Sequence, residues 1–173
     1  MRYVVILLLS CMACQQPLTE RQPVPVSEDS TFLTGVFYLV RHAQECDSTM
    51  LTDSGYAKAG ALYRFLKDSG VQRIYITPNS SARETAESLR TYAQIDTVTY
   101  TPDSSGEDLL YEITRREDWG KRLLIIGQQK TLVPVIRSLK AKAPVDSVKE
   151  TDYSSLFIVR KSRDTARCKR GRY

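Results

Sequence analysis

Val36-Phe37-Tyr38-Leu39-Val40-Arg41-His42-Ala43 is the stretch on which the fold turns. Five apolar residues in a row, with no polar alternation, fit a strand covered on both faces rather than one with a wet side. An arginine and a histidine follow directly where such a strand would end. His42 is the only histidine in the 173 residues, so no mechanism needing two histidines can run in a monomer.

Working outward, the same alternation of apolar runs and helical periods repeats. Thr52 can cap a helix whose Ala59, Leu62, Tyr63 and Leu66 share one face, with Gly70 to end it. Ile74-Tyr75-Ile76 reads as a second strand, followed by a helix carrying Ala82, Ala86 and Leu89. Residues 97–101 read as a third strand, and the Ser104…Glu107 pair has the spacing of a capping box for a helix with Leu109, Leu110 and Ile113. Leu123-Leu124-Ile125-Ile126 is a fourth strand. Thr131 is then expected to cap a helix with Leu132, Val135, Ile136 and Leu139, with Pro134 tolerated in its first turn. Leu156-Phe157-Ile158-Val159 closes the pattern as a last strand.

Strands alternating with helices at this spacing imply right-handed crossovers and an α/β fold, a three-layer α/β/α sandwich with a mainly parallel sheet. Ligands in such sheets bind where loops leave the carboxyl ends of the strands. Arg41-His42, the segment from Thr77 to Arg83, and Gly127-Gln128 all leave there.

Composition bounds the rest. A chain of this length can bury roughly 68–70% of its unfolded surface, so it needs no disulfide or metal framework. Four cysteines and one histidine exclude zinc-finger spacing and a His-rich metal site, and no cofactor is expected. Arg2 and the apolar run Val4-Val5-Ile6-Leu7-Leu8-Leu9 make residues 1–14 an export signal too short to span a bilayer. Leu8-Leu9-Ser10-Cys11 resembles a bacterial lipobox, which implies acylation of Cys11, with Cys14 as the alternative anchor. The expected location is therefore the cell envelope, held by an N-terminal lipid, or else the outside of the cell as a secreted protein.

Residues 15–32, with Pro17, Pro23 and Pro25 among polar residues, read as a tether, and residues 33–160 as the folded domain. In residues 161–173 and the adjoining Arg160, seven basic residues face only Asp164. The formal charge of +5 therefore belongs to this basic tail, and the remainder is near neutral. The expectation for the tail is a solvated, disordered terminus. Export argues against nucleic acid as its partner.

Four ordered blocks carry a family resemblance over residues 34–160. Leu39-Val40-Arg41-His42-Ala43 resembles the Arg-His-Gly signature of the histidine phosphatase superfamily, the phosphoglycerate-mutase-like fold. Leu51-Thr52-Asp53-Ser54-Gly55 resembles its Leu-Thr-x-x-Gly helix start. Thr77-Pro78 with Arg83-Glu84-Thr85-Ala86-Glu87 resembles its Ser-Pro…Thr-Ala segment, and Leu124-Ile125-Ile126-Gly127-Gln128 its Val-Val-Gly-His strand end. The resemblance implies a phosphoryl-transfer nucleophile at His42, with Arg41 among the groups around the phosphoryl oxygens. It also implies a second arginine four residues before Thr85 and a second histidine after Gly127. Ser81 and Gln128 stand there instead.

These departures set the functional expectation. Arg83 is two residues past Ser81, about 200° round a helix, so it can compensate only where the backbone is still non-helical. Gln128 donates a hydrogen bond without charge, and Lys130 at the helix start could restore charge or be an ordinary solvated lysine. Losing one donor aimed at a developing oxyanion costs about 10²–10³ in rate. Two independent losses of that kind would remove about 10⁴–10⁶.

The expected partner is thus a phosphorylated small molecule or other anion, bound by a degenerate phosphatase through Arg41, Ser81, Arg83, Gln128 and Lys130. A weak phosphomonoesterase acting through His42 and a non-catalytic scaffold are the alternatives. Asp103, Glu107 and Asp108 are open either as proton donors or as helix caps, and Glu45 is open as a surface residue. Cys46 and Cys168 are a candidate disulfide in an oxidising compartment.

Overall fold

A computed structural model describes residues 34–46 and 50–173. The signal segment, the tether and both candidate anchor cysteines lie outside the described residues. The elements follow one another as β1 (Gly35–Arg41), α1 (Asp53–Leu66), β2 (Arg73–Ile76), α2 (Ser80–Tyr92), β3 (Thr97–Thr99), α3 (Glu107–Arg115), β4 (Arg122–Gly127), α4 (Gln129–Ser138), β5 (Ser155–Lys161) and β6 (Ala166–Arg172). They form one sheet in the order β3-β2-β4-β1-β5-β6. The first four strands run parallel, whereas β5 and β6 add antiparallel at the β1 side.

The unbroken apolar runs find their reason in two separate cores. Phe37, Leu39, Leu123 and Ile125 face Leu109, Ile113, Leu132 and Ile136 of α3 and α4. Tyr38, Val40, Leu124 and Ile126, the alternate residues, face Leu62, Leu66, Ala86 and Leu89 of α1 and α2. Successive side chains of a strand point to opposite faces, so a sheet covered on both sides needs apolar residues at every position. Among the described residues no helix is long and apolar enough to cross a membrane.

The helix starts were read less well than the helices. Thr52 caps α1 as expected, its hydroxyl accepting from the Gly55 N–H at 3.0 Å. The Ser104…Glu107 box does not form; the Asp103 carboxylate accepts from the N–H groups of Ser105, Gly106 and Glu107 instead. A carboxylate placed two to four residues before those amides satisfies more orphan donors than a lone serine hydroxyl. Burial pulls its pKa up, but these bonds and that from the Ser105 hydroxyl hold the carboxyl below the usual range, so it caps rather than donates protons.

Thr131 is not the cap of α4 either. Gln128 occupies that position, and the Thr131 hydroxyl donates to the Gln128 carbonyl from inside the first turn. Because the helix starts earlier than expected, Pro134 is its sixth residue and sits in the second turn, removing one intrahelical donor.

Two further expectations are corrected. The C-terminal segment is not a disordered tail. Residues 166–172 pair in full register with β5, and Ala166 and Cys168 pack on the α3/α4 core. The sequence hid this strand because its outward positions are cationic, as edge strands commonly are. Cys46 is exposed and Cys168 half-buried, and both are free thiols with no bridge between them.

Candidate active site

The three loops expected at one end of the sheet do meet there. Arg41 is the register partner of Gly127, and the His42 N–H donates to the Gly127 carbonyl at 3.1 Å. The Thr77 N–H donates to the Ile126 carbonyl at 3.2 Å. Hydrogen bonds past the last ladder residues thus hold the three exits side by side.

His42 is only 6% exposed. Its Nδ1 lies 3.0 Å from the Ala43 carbonyl oxygen, which can only accept, so Nδ1 bears the hydrogen and Nε2 the lone pair. Burial pushes the imidazole below its ordinary pKa, opposed by the Ala43 carbonyl and by Glu45, and aided by the Arg41 charge. The ring is therefore neutral at neutral pH, with a fixed tautomer and an unprotonated Nε2.

The loop carrying it is pinned from α2. The Ala43 N–H donates to the Thr85 hydroxyl at 2.9 Å, and that hydroxyl donates to the Ser81 carbonyl at 2.6 Å. The threonine of the Thr85-Ala86 block is thus a tie between the histidine loop and the helix beside it. Glu84, which sequence reasoning passed over, ties the next stretch: its carboxylate accepts from the Leu51 N–H at 3.0 Å and from the Tyr56 hydroxyl at 2.9 Å. That bond and partial desolvation raise the Tyr56 phenol above its ordinary range.

Arg41 is held by residues that nothing local in the sequence points to. Its guanidinium donates to the Glu150 carbonyl and lies 4.0 Å above the centre of the Tyr153 ring. Its Nε is buried and has no hydrogen-bond partner among the described residues. One face and one N–H group are thus used for positioning, and a buried donor is left over.

Ser81 is fully buried in the first turn of α2. Its hydroxyl accepts from the Asn79 amide at 2.6 Å, and that amide's oxygen accepts from the Thr77 hydroxyl at 2.6 Å. Arg83 lies inside α2, already helical, and is exposed. The non-helical backbone on which its compensating role depended is therefore absent.

Gln128 is exposed at the start of α4, and its carbonyl accepts from the Thr131 N–H. Lys130 is exposed one turn position further on. The Thr85 hydroxyl links the loop after His42 to Ser81, whereas the Arg83, Gln128 and Lys130 side chains are exposed.

Tyr100 is a second residue that sequence reasoning missed. It is 3% exposed, its hydroxyl lacks a hydrogen-bond partner among the described residues, and burial raises it far above its ordinary pKa. A Cβ on Gly127 would lie 3.0 Å from that hydroxyl, which explains the glycine at the end of β4. Among the described residues no group of three or more His, Cys, Asp or Glu side chains is gathered to hold a metal ion.

A doubly covered sheet with a neutral histidine and an arginine at the end of one strand is what the comparisons with known proteins can be set against. The family model described as Histidine phosphatase superfamily (branch 1) matches residues 37–103. No curated protein sequence matches the chain.

Among solved structures, an Agrobacterium tumefaciens protein assigned as the phosphohistidine phosphatase SixA is similar with a TM-score of 0.58 and 20% identity, covering 75% of this chain and 93% of its own. The mycobacterial glucosyl-3-phosphoglycerate phosphatase, solved with VO3, gives 0.57 and 13%, covering 80% and 98%. An Escherichia coli K-12 protein assigned as an alpha-ribazole-5'-P phosphatase gives 0.61 and 12%, covering 81% and 97%. Residues 37–103 thus match the model of that superfamily, and the fold is the one these solved structures share.

Proposed function

We propose that this protein is an exported, lipid-anchored member of the superfamily that binds a phosphorylated small molecule or other anion at Arg41 and His42, with hydrolytic activity weak or lost. The observation that carries this reading is Ser81: at the place of the family's second arginine stands a neutral, fully buried hydroxyl already bonded to Asn79. Arg83, the nearest replacement in sequence, is exposed on α2. The relatives with assigned activities are named for phosphate-bearing substrates, which supports an anion as ligand. The buried, unpartnered Arg41 Nε supports it as well.

One observation favours the alternative of a slow phosphomonoesterase. The tautomer of His42 leaves Nε2 free, as nucleophilic attack on phosphorus requires. Both readings are separated by one experiment. Vanadate or inorganic phosphate should bind the wild type and bind Arg41→Ala about 10–10²-fold more weakly, as loss of a charged hydrogen-bond donor implies. Turnover of an aryl phosphate should fall well below the usual range of about 1–10³ s⁻¹. Turnover within that range, abolished by His42→Ala, would make the protein an enzyme. Failure of the wild type to bind either anion would make it a scaffold.

A further inference from the structure

At the end of the sheet opposite His42, Thr34, Arg160, Lys161, Arg163, Arg167 and Lys169 line an open groove of about 730 Å³. Five of these six residues are cations. None forms an ion pair with any described residue, and Asp164, the sole acid in the hairpin, lies beyond ion-pair reach of all five. By contrast Arg170, on the other face of β6, is paired with Asp152 at 2.7 Å. The groove thus takes Arg160, Arg167 and Lys169 from one face of the hairpin and Lys161 and Arg163 from its turn end, not the whole basic segment.

The register makes the crowding specific. Arg160 of β5 and Arg167 of β6 are direct cross-strand partners, so two like charges face each other with no acid between them. Such a pair is destabilising in isolation. Lys161 follows, held below its ordinary pKa by burial and by the nearby Lys140 charge. A surface that accumulates repulsion in this way gains most from a ligand carrying several negative charges.

Thr34 shows where the groove lies in the whole chain. It forms part of the groove wall, and it is the first described residue after the stretch read as lipid anchor and tether. The polypeptide therefore enters the domain through the basic face. Arg41 and His42 lie at the far end of β1, five residues beyond Val36 and so roughly 17 Å away along the strand.

We infer that this basic groove is a docking face for anionic phospholipid headgroups, which turns the Arg41–His42 site away from the membrane. The choice of lipid among polyanions rests on the lipid-anchor reading above, while the groove stands on geometry alone. Each cation near an anionic bilayer adds to attraction, and salt screens it over about a Debye length.

The test uses the full-length chain carrying Cys11→Ser and Cys14→Ser, which cannot be acylated, so that vesicle binding is independent of the anchor. Co-sedimentation is compared between vesicles of phosphatidylcholine alone and of phosphatidylcholine with phosphatidylglycerol. The chain should prefer the anionic vesicles, and Arg163→Gln/Arg167→Gln/Lys169→Gln should reduce that preference by about 10²-fold. Arg64→Gln/Lys67→Gln/Lys142→Gln, of equal net charge, should reduce it far less, and circular dichroism should show both variants folded.

Equal binding to both vesicle types, or equal loss in both triple variants, overturns the inference. So does groove-dependent binding of inorganic polyphosphate without binding to anionic vesicles, which would identify a soluble polyanion. Failure of the acylatable chain to take up a fatty-acid probe overturns the anchor reading alone and leaves the vesicle result standing.

Discussion

The tautomer of His42 is set by a carbonyl one residue away, which fixes the proton on Nδ1 and leaves Nε2 unprotonated. That feature rests on backbone geometry, so it does not depend on the side chains at positions 81 and 128. The rest of the site depends on charge, and Ser81 and Gln128 supply none. On the function proposed above, Ser81→Arg with Gln128→His should therefore build a phosphate cage around His42. Ser81 is fully buried, so the new guanidinium must reach solvent or lose its hydration at a cost of several kcal/mol. Groups acting together on one phosphoryl group are non-additive, so each single variant should gain little and the double variant much more. Vanadate affinity and His42-dependent hydrolysis of an aryl phosphate are the readouts. A folded double variant that gains neither would mean that the Thr77–Ala86 block is out of register with the family. Arg41 and His42 were legible because they stand together behind an apolar run. The partners of Arg41 were not, since the Glu150 carbonyl is 109 residues away and a backbone acceptor leaves no mark in a sequence.

At the scale of elements, α1 shows what its two glycines are for. A Cβ on Gly55 would meet the Gln44 carbonyl oxygen at 2.2 Å, in the loop that follows His42. A Cβ on Gly60, in the same helix, would meet only the Arg64 guanidinium at 3.4 Å, the movable end of a long side chain. Helix propensity alone would make both alanine substitutions stabilising by about 0.5–1 kcal/mol. The close approach reverses the sign at one of them. Gly55→Ala should cost about 1–3 kcal/mol in urea unfolding and Gly60→Ala should stabilise by up to about 1 kcal/mol. Two shifts of the same sign would show that the loop does not pack on α1 as described. The element pattern itself was readable because both cores demand apolar residues at fixed periods. Element ends were less so: Ser104, Thr131 and Asp103 are all chemically able to cap, and only the path of the loop decides that Asp103 does.

For the molecule as a whole, the C-terminal hairpin is where sequence and structure part furthest, and it reaches the site through a chain of contacts. Arg170 donates to the Asp152 carboxylate at 2.7 Å and to the Ser155 hydroxyl at 2.9 Å. Burial raises the Asp152 pKa, yet bonds from Ser155, Ser154 and Arg170 together hold the carboxyl below the usual range, so this joint persists at neutral pH. The Tyr173 hydroxyl donates to the Tyr153 carbonyl at 3.1 Å, and the Tyr153 ring lies under Arg41. A basic composition reads as a solvated terminus because charge is what the sequence displays there; the seven register pairs with β5 and the buried face of Cys168 are displayed only in three dimensions. Deleting residues 166–173 should then do two things at once. It exposes the Phe157 and Val159 strand as a new sheet edge, which should cost about 3–5 kcal/mol of stability, the range of a large core truncation. It also frees the loop that seats Arg41, so phosphate or vanadate affinity should fall even at temperatures where the shortened chain is folded. Arg170→Gln separates the two effects, because it breaks the joint at Asp152 while leaving the β5–β6 ladder in place. That variant should keep most of its unfolding midpoint and still bind anion more weakly than wild type. Full affinity in Arg170→Gln, with the loss confined to the deletion's melting temperature, would reduce the hairpin to a cover for the core and leave Arg41 positioned by Tyr153 and Glu150 alone.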